Sequence, residues 1–343
     1  MSSSVPSCLL LALAVGLAPI GACGSDDASP APAAPEPVPV AEPRLLPLDE
    51  VHVDPDEVVM VQGSKMVLNP NDTIVSRVIR RDGIWEPLET RLFTQTVRPG
   101  DVVVDVGANI GYYTLLAARL VGETGHVYAF EPEPEAFALL ERNVALNGYD
   151  NVTLVDKALG REAGRLQLYL AKNNRGDHRI YDPTGRRSSI DVDVIALDAY
   201  LDERGIERVN LLKVDTQGAE CSILDGARRT IASHPELGIV MEFTPHSLAQ
   251  LGDEPRRCLQ TLVDTGYSLL DIEEWKRRIV PTDVDTLLRV YPQDDRTKFT
   301  NLWLPPREAG GAGPGAPPAD AGVAARAQPE ARPPRAPGAP AAP

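Results

Sequence analysis

Residues 101–111 read Asp-Val-Val-Val-Asp-Val-Gly-Ala-Asn-Ile-Gly, a short β-branched run followed by a turn with two glycines. A run of this kind is typical of a strand that is buried on both faces. Apolar residues at helical spacing follow over 113–121, so the stretch predicts a strand, a tight turn and a helix. In an open α/β sheet, such a turn lines the crevice at the carboxyl ends of the strands.

The same alternation continues along the chain. Strands spaced by helices of 10 to 15 residues indicate right-handed βαβ units and a mainly parallel sheet. The pattern predicts strands over 125–130, 152–155, 165–170, 190–194, 209–214, 238–243, 267–272, 287–290 and 301–304. It predicts helices over 134–147, 219–232 and 247–265.

Composition divides the 343 residues into a folded part and two flanks. Only 13 of the 32 prolines fall in residues 48–305, and the rest crowd the two ends. The tail, 306–343, is built of Ala, Pro, Gly and Arg and is predicted to be disordered. Residues 24–48 are predicted to be an extended linker. Residues 49–100 are predicted to be a small cap region, and 101–305 the main domain.

Net charge and cysteine content exclude two classes. A formal charge of −15 argues against a nonspecific nucleic-acid binder, since such a protein needs a basic face. Cys8 and Cys23 lie in the leader, which leaves Cys221 and Cys258 in the folded part. The four cysteines therefore predict no disulfide framework, and without a Cys/His cluster no structural zinc site is expected.

Residues 1–23 resemble a signal peptide. The apolar run 8–18 suits the core of a signal peptide and is too short to span a bilayer. It leads into Ile-Gly-Ala-Cys at 20–23, which resembles a lipobox with Cys23 as the lipidated residue. The leader predicts a membrane-anchored lipoprotein. If the start codon is mis-assigned, the protein is cytoplasmic instead.

Glu131 is the second element of a predicted ligand site. It follows the strand 125–130, about twenty residues after the glycine turn, where a carboxylate can accept both hydroxyls of a ribose. The alternative is that Glu131 caps the next helix. A dinucleotide fold would have G-x-G-x-x-G at the turn, whereas Asn109 stands at the position of its second glycine, which argues against a nicotinamide-dependent oxidoreductase.

These stretches together carry a family resemblance. DVGANIGYYT, FEPEPEAFALLERNVALNG, LLKVDTQGAE and IVMEF resemble, in order and spacing, the FkbM family of S-adenosylmethionine-dependent methyltransferases over residues 102–270. The resemblance implies the class I methyltransferase fold: a Rossmann-like, mostly parallel seven-stranded sheet with helices on both faces and an antiparallel last strand. It also implies methyl transfer to a hydroxyl of a small-molecule, glycan or lipid acceptor. Gln217 departs from the family pattern, which has Glu there.

The resemblance implies which residues would contact each part of S-adenosylmethionine. We expect Gly107, Asn109 and Gly111 to cradle the methionine part of S-adenosylmethionine, because a turn without Cβ atoms lets the backbone approach a ligand. Asp105 is expected to hold its amino group and Glu131, with Pro132 beside it, its ribose. Asp156, after the third strand, is expected to contact the adenine. These assignments await the tertiary structure.

On the acceptor side, a hydroxyl nucleophile usually needs a base. The candidates are Asp215, Glu220, His178 and His246. Asp215 is favoured because the end of its strand places it in the crevice. A metal site built from Asp215, Glu220 and Glu242 is not expected. The arginines of the polar loop (175, 179, 186 and 187) suggest that this loop selects the acceptor. An exported module that keeps the fold without catalysis is the alternative function.

Overall fold

The computed structural model describes residues 46–307. The predicted leader with Cys23, the linker up to residue 45 and the tail from residue 308 lie outside the described residues. None of the helices between residues 46 and 307 is long and apolar enough to cross a membrane.

The elements alternate as the pattern predicts. The strands are β1 (Val58–Val61), β2 (Ser64–Val67), β3 (Val102–Val106), β4 (His126–Phe130), β5 (Val152–Val155), β6 (Ala158–Leu159), β7 (Gly164–Tyr169), β8 (Ser189–Ile195), β9 (Leu211–Val214), β10 (Gly238–Phe243), β11 (Leu269–Glu273), β12 (Arg278–Thr282) and β13 (Thr300–Leu304). The helices are α1 (Val75–Asp82), α2 (Pro87–Thr96), α3 (Tyr112–Val121), α4 (Pro134–Asn147), α5 (Leu197–Arg204), α6 (Glu220–Gly226), α7 (Arg228–Ser233), α8 (Pro245–Gln250), α9 (Pro255–Asp264) and α10 (Val284–Val290).

The largest sheet has the order β5-β4-β3-β9-β10-β13-β11-β12. Neighbours from β5 through β10 are parallel, and β13 runs antiparallel to both β10 and β11. This is the predicted mostly parallel α/β sheet with an antiparallel last strand, and the fold class is confirmed. The sheet has eight strands rather than seven, because β12 pairs with β11 at the edge. The order reverses between β3 and β9, the switch point at which such sheets bind ligands.

Both faces of this sheet are covered. Along β3 the buried valines alternate: Val103 packs in one apolar cluster and Val104 in the other. The first four helices pack on the face of Val103. Helices from α5 onward supply residues to the cluster of Val104, including Leu197 and Leu259. The two-sided burial explains why β3 and β10 are apolar apart from Asp105 and Glu242.

Three local predictions were wrong. Residues 284–290 form α10 rather than a strand, because Asp283 caps its N-terminus by accepting from the Thr286 N–H at 2.8 Å. The predicted helix 219–232 is divided at Ala227 into α6 and α7. The predicted helix 247–265 is likewise divided into α8 and α9, with Gly252 in the left-handed region between them.

Cys221 of α6 and Cys258 of α9 form a disulfide, with their Cα atoms 5.5 Å apart. Both side chains are buried. The sequence analysis predicted no disulfide framework and did not anticipate this single bond, since 37 positions separate the two cysteines in sequence and the packing of α6 on α9 brings them together. The bond ties the helix that follows Asp215 to the outer helical layer.

The cap region predicted over 49–100 contains a hairpin and two helices. Strands β1 and β2 pair antiparallel, and β2 packs on α4. A second small sheet, of order β6-β8-β7, carries the polar loop 170–188 between β7 and β8. The loop is attached to the cap region: the Thr73 N–H donates to the Asn173 carbonyl at 2.8 Å, and the Arg175 N–H donates to buried Asp72 at 3.1 Å.

Candidate functional site

The glycine turn lies at the carboxyl end of β3, beside the end of β9. Gly107 and Gly111 have φ values of +81° and +96°. A Cβ at Gly107 would stand 2.0 Å from the Asp215 carbonyl oxygen, and one at Gly111 would stand 2.7 Å from Leu140 Cδ1. Both glycines are therefore required by packing within the protein. The absence of a Cβ at these two positions is thus explained by packing, and not only by the approach of a ligand to the backbone.

Glu131 fixes the conformation of this turn. Its Oε2 accepts the Asn109 N–H and its Oε1 accepts the Glu133 N–H, both at 2.8 Å. The cap of α4 is Glu133, which accepts from the Ala136 N–H, so Glu131 does not cap that helix. Burial raises the pKa of Glu131 to about 7, although the two backbone donors oppose that shift. Each oxygen retains a lone pair for a ligand hydroxyl.

A cavity of about 790 Å³ opens at this turn. The residues that line it include seven selected from the sequence: Gly107, Asn109, Glu131, Pro132, Arg175, His178 and Asp215. The structure therefore brings together the ends of β3, β4 and β9 with the polar loop. Gly111 is not among the described residues that line the cavity, and it starts α3 instead.

Asp105 and Asp156 are placed differently from the prediction. Asp105 is 2% exposed, and its Oδ2 accepts from the Thr114 hydroxyl at 2.6 Å, beneath the turn. Asp156 is exposed and lies outside the described residues that line the cavity, whereas the next residue, Lys157, lines it. A strand-end position alone does not decide whether a side chain faces the cavity or the core, because the side chains alternate.

Glu220 is a structural residue. It is fully buried, and its Oε1 accepts from the Thr216 N–H, the Thr216 hydroxyl and the Gly218 N–H. It therefore holds the turn between β9 and α6 in place and does not line the cavity within the described residues. The prediction of a catalytic role for Glu220 is contradicted by this placement.

His178 lines the cavity as a hydrogen-bond donor. Its Nδ1 accepts the Ala171 N–H at 3.0 Å, so in the neutral ring the hydrogen is on Nε2. Burial, together with Arg175 and Arg187, lowers the pKa of His178 to about 4. A ring whose free nitrogen carries a hydrogen cannot accept a proton there, so the prediction of His178 as a base was wrong. His246 lies elsewhere, with Nδ1 3.0 Å from the Gln293 carbonyl.

Asp215 lies beside a buried lysine that the sequence analysis missed. Lys213 is 3% exposed, and its Nζ is 3.3 Å from Asp215 Oδ2 and 3.6 Å from Glu89 Oε1. The same Nζ is 4.3 Å from the centre of the Tyr113 ring. A charged residue within an apolar run of a central strand was the available signal, since a buried lysine requires partners.

Gln217 connects the polar loop to the carboxylates. Its backbone has φ of +58°, and its Nε2 donates to Glu242 Oε1 at 2.9 Å and is 3.5 Å from Asp215 Oδ1. Its Oε1 accepts from Arg179 of the loop at 3.2 Å. Within residues 46–307, no group of three or more His, Cys, Asp or Glu side chains is placed to hold a metal ion.

Comparison with known proteins shows which family this chain resembles. The model of the methyltransferase FkbM domain matches residues 105–269, from the end of β3 to the start of β11. Methyltransferase 1 of Beauveria bassiana is 35% identical over 36% of this chain and 57% of its own length. The 31-O-demethyl-FK506 methyltransferase FkbM of Streptomyces tacrolimicus is 31% identical over 38% of this chain and 60% of its own length.

A third relative, the 2-O-methyltransferase NoeI of Sinorhizobium fredii, is 26% identical over 48% of this chain and 72% of its own length. The chain spans less than two thirds of the length of the first relatives it matches. The matched segment includes the glycine turn, Glu131 and the Asp215 segment. The match over residues 105–269 and the similarity to these relatives support an FkbM-family methyltransferase.

Proposed function

We propose that this protein transfers a methyl group from S-adenosylmethionine to a hydroxyl oxygen of a small-molecule, glycan or lipid acceptor. The observation that carries the proposal is the buried carboxylate of Glu131 at the edge of the cavity, fixed by two backbone donors with lone pairs to spare. The fold and the family support the same reaction class.

The cavity fits this donor in three respects. Vicinal ribose hydroxyls can donate to the two oxygens of Glu131. The turn at Gly107 and Asn109 presents backbone beside the same carboxylate. Because this donor contains no phosphate, it needs no basic side chain at the turn, and the turn contains none.

Asp215 is the proposed acceptor-side residue. Its backbone is fixed by donation of its N–H to the Val106 carbonyl, its side chain is 29% exposed, and it lines the cavity. When bound, the sulfonium would supply an electrophilic methyl group to the acceptor oxygen. Asp215 orients that oxygen by accepting a hydrogen bond from the acceptor hydroxyl. Such positioning removes a large part of the activation barrier in a displacement of this kind.

The polar loop is proposed to select the acceptor. Gly176 of this loop lies over the turn, where an added Cβ would come within 3.1 Å of Val75 Cγ2 and 3.6 Å of Asn109 Nδ2. His178 presents a donor rather than a base on the same side. An acceptor with oxygen acceptors near its hydroxyl suits this loop. The relatives named as O-methyltransferases support methylation at oxygen.

Calorimetric titration of the full chain tests the proposal. S-adenosylmethionine and S-adenosylhomocysteine should bind with one site each, and NAD should not bind. Transfer of labelled methyl groups to a panel of glycosides and hydroxylated lipids, with Asp215→Asn as the comparison, then tests O-methylation. Binding of NAD in place of both sulfur ligands would refute the assignment.

We also propose that the chain is exported and anchored through Cys23. Disulfides persist mainly in oxidising compartments, so the bond between Cys221 and Cys258 supports the location that the leader predicts. An exported methyltransferase would act on acceptors of the cell envelope and would need its methyl donor supplied there.

A further inference from the structure

A single buried lysine is surrounded by carboxyl groups at the carboxyl edge of the sheet. We name this the Lys213 cluster; it consists of Lys213, Glu86, Glu89, Asp105, Asp215 and Glu242. If every group were ionised, four negative charges would remain uncompensated. Five carboxylates around one ammonium cannot all stay charged in a buried site, because like charges at close range disfavour one another's ionised forms.

Two members come from outside the segment that the family model matches. Glu86 precedes α2 with φ of +42°, a conformation that is strained for a residue with a side chain. Its carboxylate accepts from the Tyr113 hydroxyl at 3.2 Å and from Asn301 Nδ2 at 3.1 Å. Glu89, one turn along α2, is 1% exposed and contacts Lys213. The cap region therefore contributes charge directly to the site.

The cluster meets the cavity at Asp215 and contains an incompletely bonded carboxyl group. Glu242 is 7% exposed, and its Oε1 accepts from Gln217, whereas its Oε2 is buried without a hydrogen-bond partner among residues 46–307. A buried oxygen in that state is costly unless it carries a proton or meets a ligand. Asp215, which lines the cavity, is the point where a ligand's charge can reach the cluster.

Other titratable or charged groups face the cluster from the elements packed around it. They are Tyr112 and Tyr113 of α3, Glu131 after β4, Arg179 of the polar loop, Glu220 of α6 and Glu274 after β11. Arg179 is the one cation of this set, and it reaches the carboxylates through Gln217. The surroundings therefore do not neutralise the cluster.

The buried carboxyl groups of the cluster favour their protonated forms more than exposed carboxyl groups do. Burial raises the pKa of four of its carboxyl groups: Glu86, Glu89, Asp105 and Glu242. The carboxylates in turn raise the pKa of Lys213, which stays charged. A new positive charge near Asp215 would stabilise the ionised carboxylates and release a proton, and loss of that charge would draw a proton back.

We infer that the Lys213 cluster releases one proton when the positively charged methyl donor binds. When methyl transfer removes that charge, the cluster takes up the proton of the acceptor hydroxyl. Binding of the positively charged donor expels a proton to solvent. During transfer the oxygen forms the new C–O bond, the sulfur keeps the electron pair of the broken C–S bond, and the hydroxyl proton passes to a cluster carboxylate. The inference rests on the proposed function.

Proton counting by calorimetry tests this without an acceptor. The full chain is titrated with S-adenosylmethionine and with S-adenosylhomocysteine, in two buffers of different ionisation enthalpy, near pH 6.5. There the amino groups of both ligands, with a pKa of about 8 for α-amino groups, are largely protonated. The charged donor should release up to about one proton more than the neutral product. Subtraction cancels any proton exchanged by Glu131, which both ligands contact.

The affinity ratio of the two ligands gives a second readout. The preference for the charged donor should rise with pH by up to about tenfold per unit. Equal proton counts and a ratio independent of pH would overturn the inference while leaving the proposed function intact. Failure of both ligands to bind would overturn both.

Variants then locate the proton. Glu86→Gln and Glu242→Gln should each lower the excess proton release while leaving the affinity for S-adenosylhomocysteine within about twofold. Glu57→Gln is the matched control, since Glu57 lies in the same cap region, pairs with Arg80 and is outside the cluster. An unchanged proton count in both cluster variants would contradict the assignment. If one variant fails to fold, the other decides.

Discussion

Reduction of the disulfide between Cys221 and Cys258 should destabilise the folded domain by about 4 kcal/mol. The magnitude follows from the 37 residues that separate the two cysteines. Closing a loop of that length in the unfolded chain removes about 13 cal/mol/K of entropy, or about 3.8 kcal/mol at 25 °C. Against a typical domain stability of about 5–15 kcal/mol, this is a large share.

Urea unfolding of the oxidised and reduced protein measures the difference, with tryptophan fluorescence as the signal. The reduced protein should unfold at lower urea concentration. Reduction of the wild type leaves both buried side chains in place, so the comparison avoids the packing loss of an alanine variant. The double variant C221A/C258A is the control, and reductant should not change its midpoint.

Two results would refute this reasoning. The first is a loss below about 1 kcal/mol, which would mean that the loop is already constrained in the unfolded state or that the bond is strained. The second is alkylation of Cys221 and Cys258 in the denatured, unreduced protein, which would show free thiols and no bond.

Three further predictions follow from the site and the leader. Gly107→Ala should lower stability by several kcal/mol, because its Cβ would collide with the Asp215 carbonyl oxygen. Gly185→Ala, at a left-handed glycine with open space around it, should cost only about 1–2 kcal/mol; equal melting temperatures of the two variants would contradict this. Affinity for S-adenosylhomocysteine should rise with pH and level off above about 7. The reason is that Glu131, with its pKa raised to about 7, accepts ribose hydroxyls on both oxygens only when it is ionised. Titrations from pH 5.5 to 8 measure this affinity, and a flat profile would count against the prediction. Finally, fractionation and intact-mass analysis should find an acylated chain that begins at Cys23 in the membrane fraction; a soluble, unacylated chain that begins earlier would exclude the lipoprotein.

Local patterns in the sequence were enough to predict the strands, helices and turns of the central half of the fold. Strands buried on both faces read as β-branched runs, as 101–106 does, and glycines mark the turn that follows. The order of these elements predicted that the glycine turn and Glu131, at the end of β4, line one cavity. Such inferences succeed where the determinant lies within one element and its turn.

The roles of Glu220 and His178 required the tertiary structure. Their residue types suit catalysis, yet the buried Glu220 accepts hydrogen bonds from three donors of its own turn. His178 accepts the Ala171 N–H on Nδ1, which places its own hydrogen on Nε2. The direction of a side chain and the state of its hydrogen depend on partners that the sequence does not order in space.

What only the tertiary structure decided is which distant residues share the Lys213 cluster. Glu86 of the cluster accepts a hydrogen bond from Asn301, 215 residues away in sequence, because the antiparallel β13 inserts between β10 and β11. The sequence by itself determined that a βαβ sheet with a ligand turn forms, because hydrophobic periodicity and glycine conformation act over a few residues. Burial of charge is a property of the assembled sheet edge, where strand order and the packing of α2 bring five carboxyl groups together with one lysine.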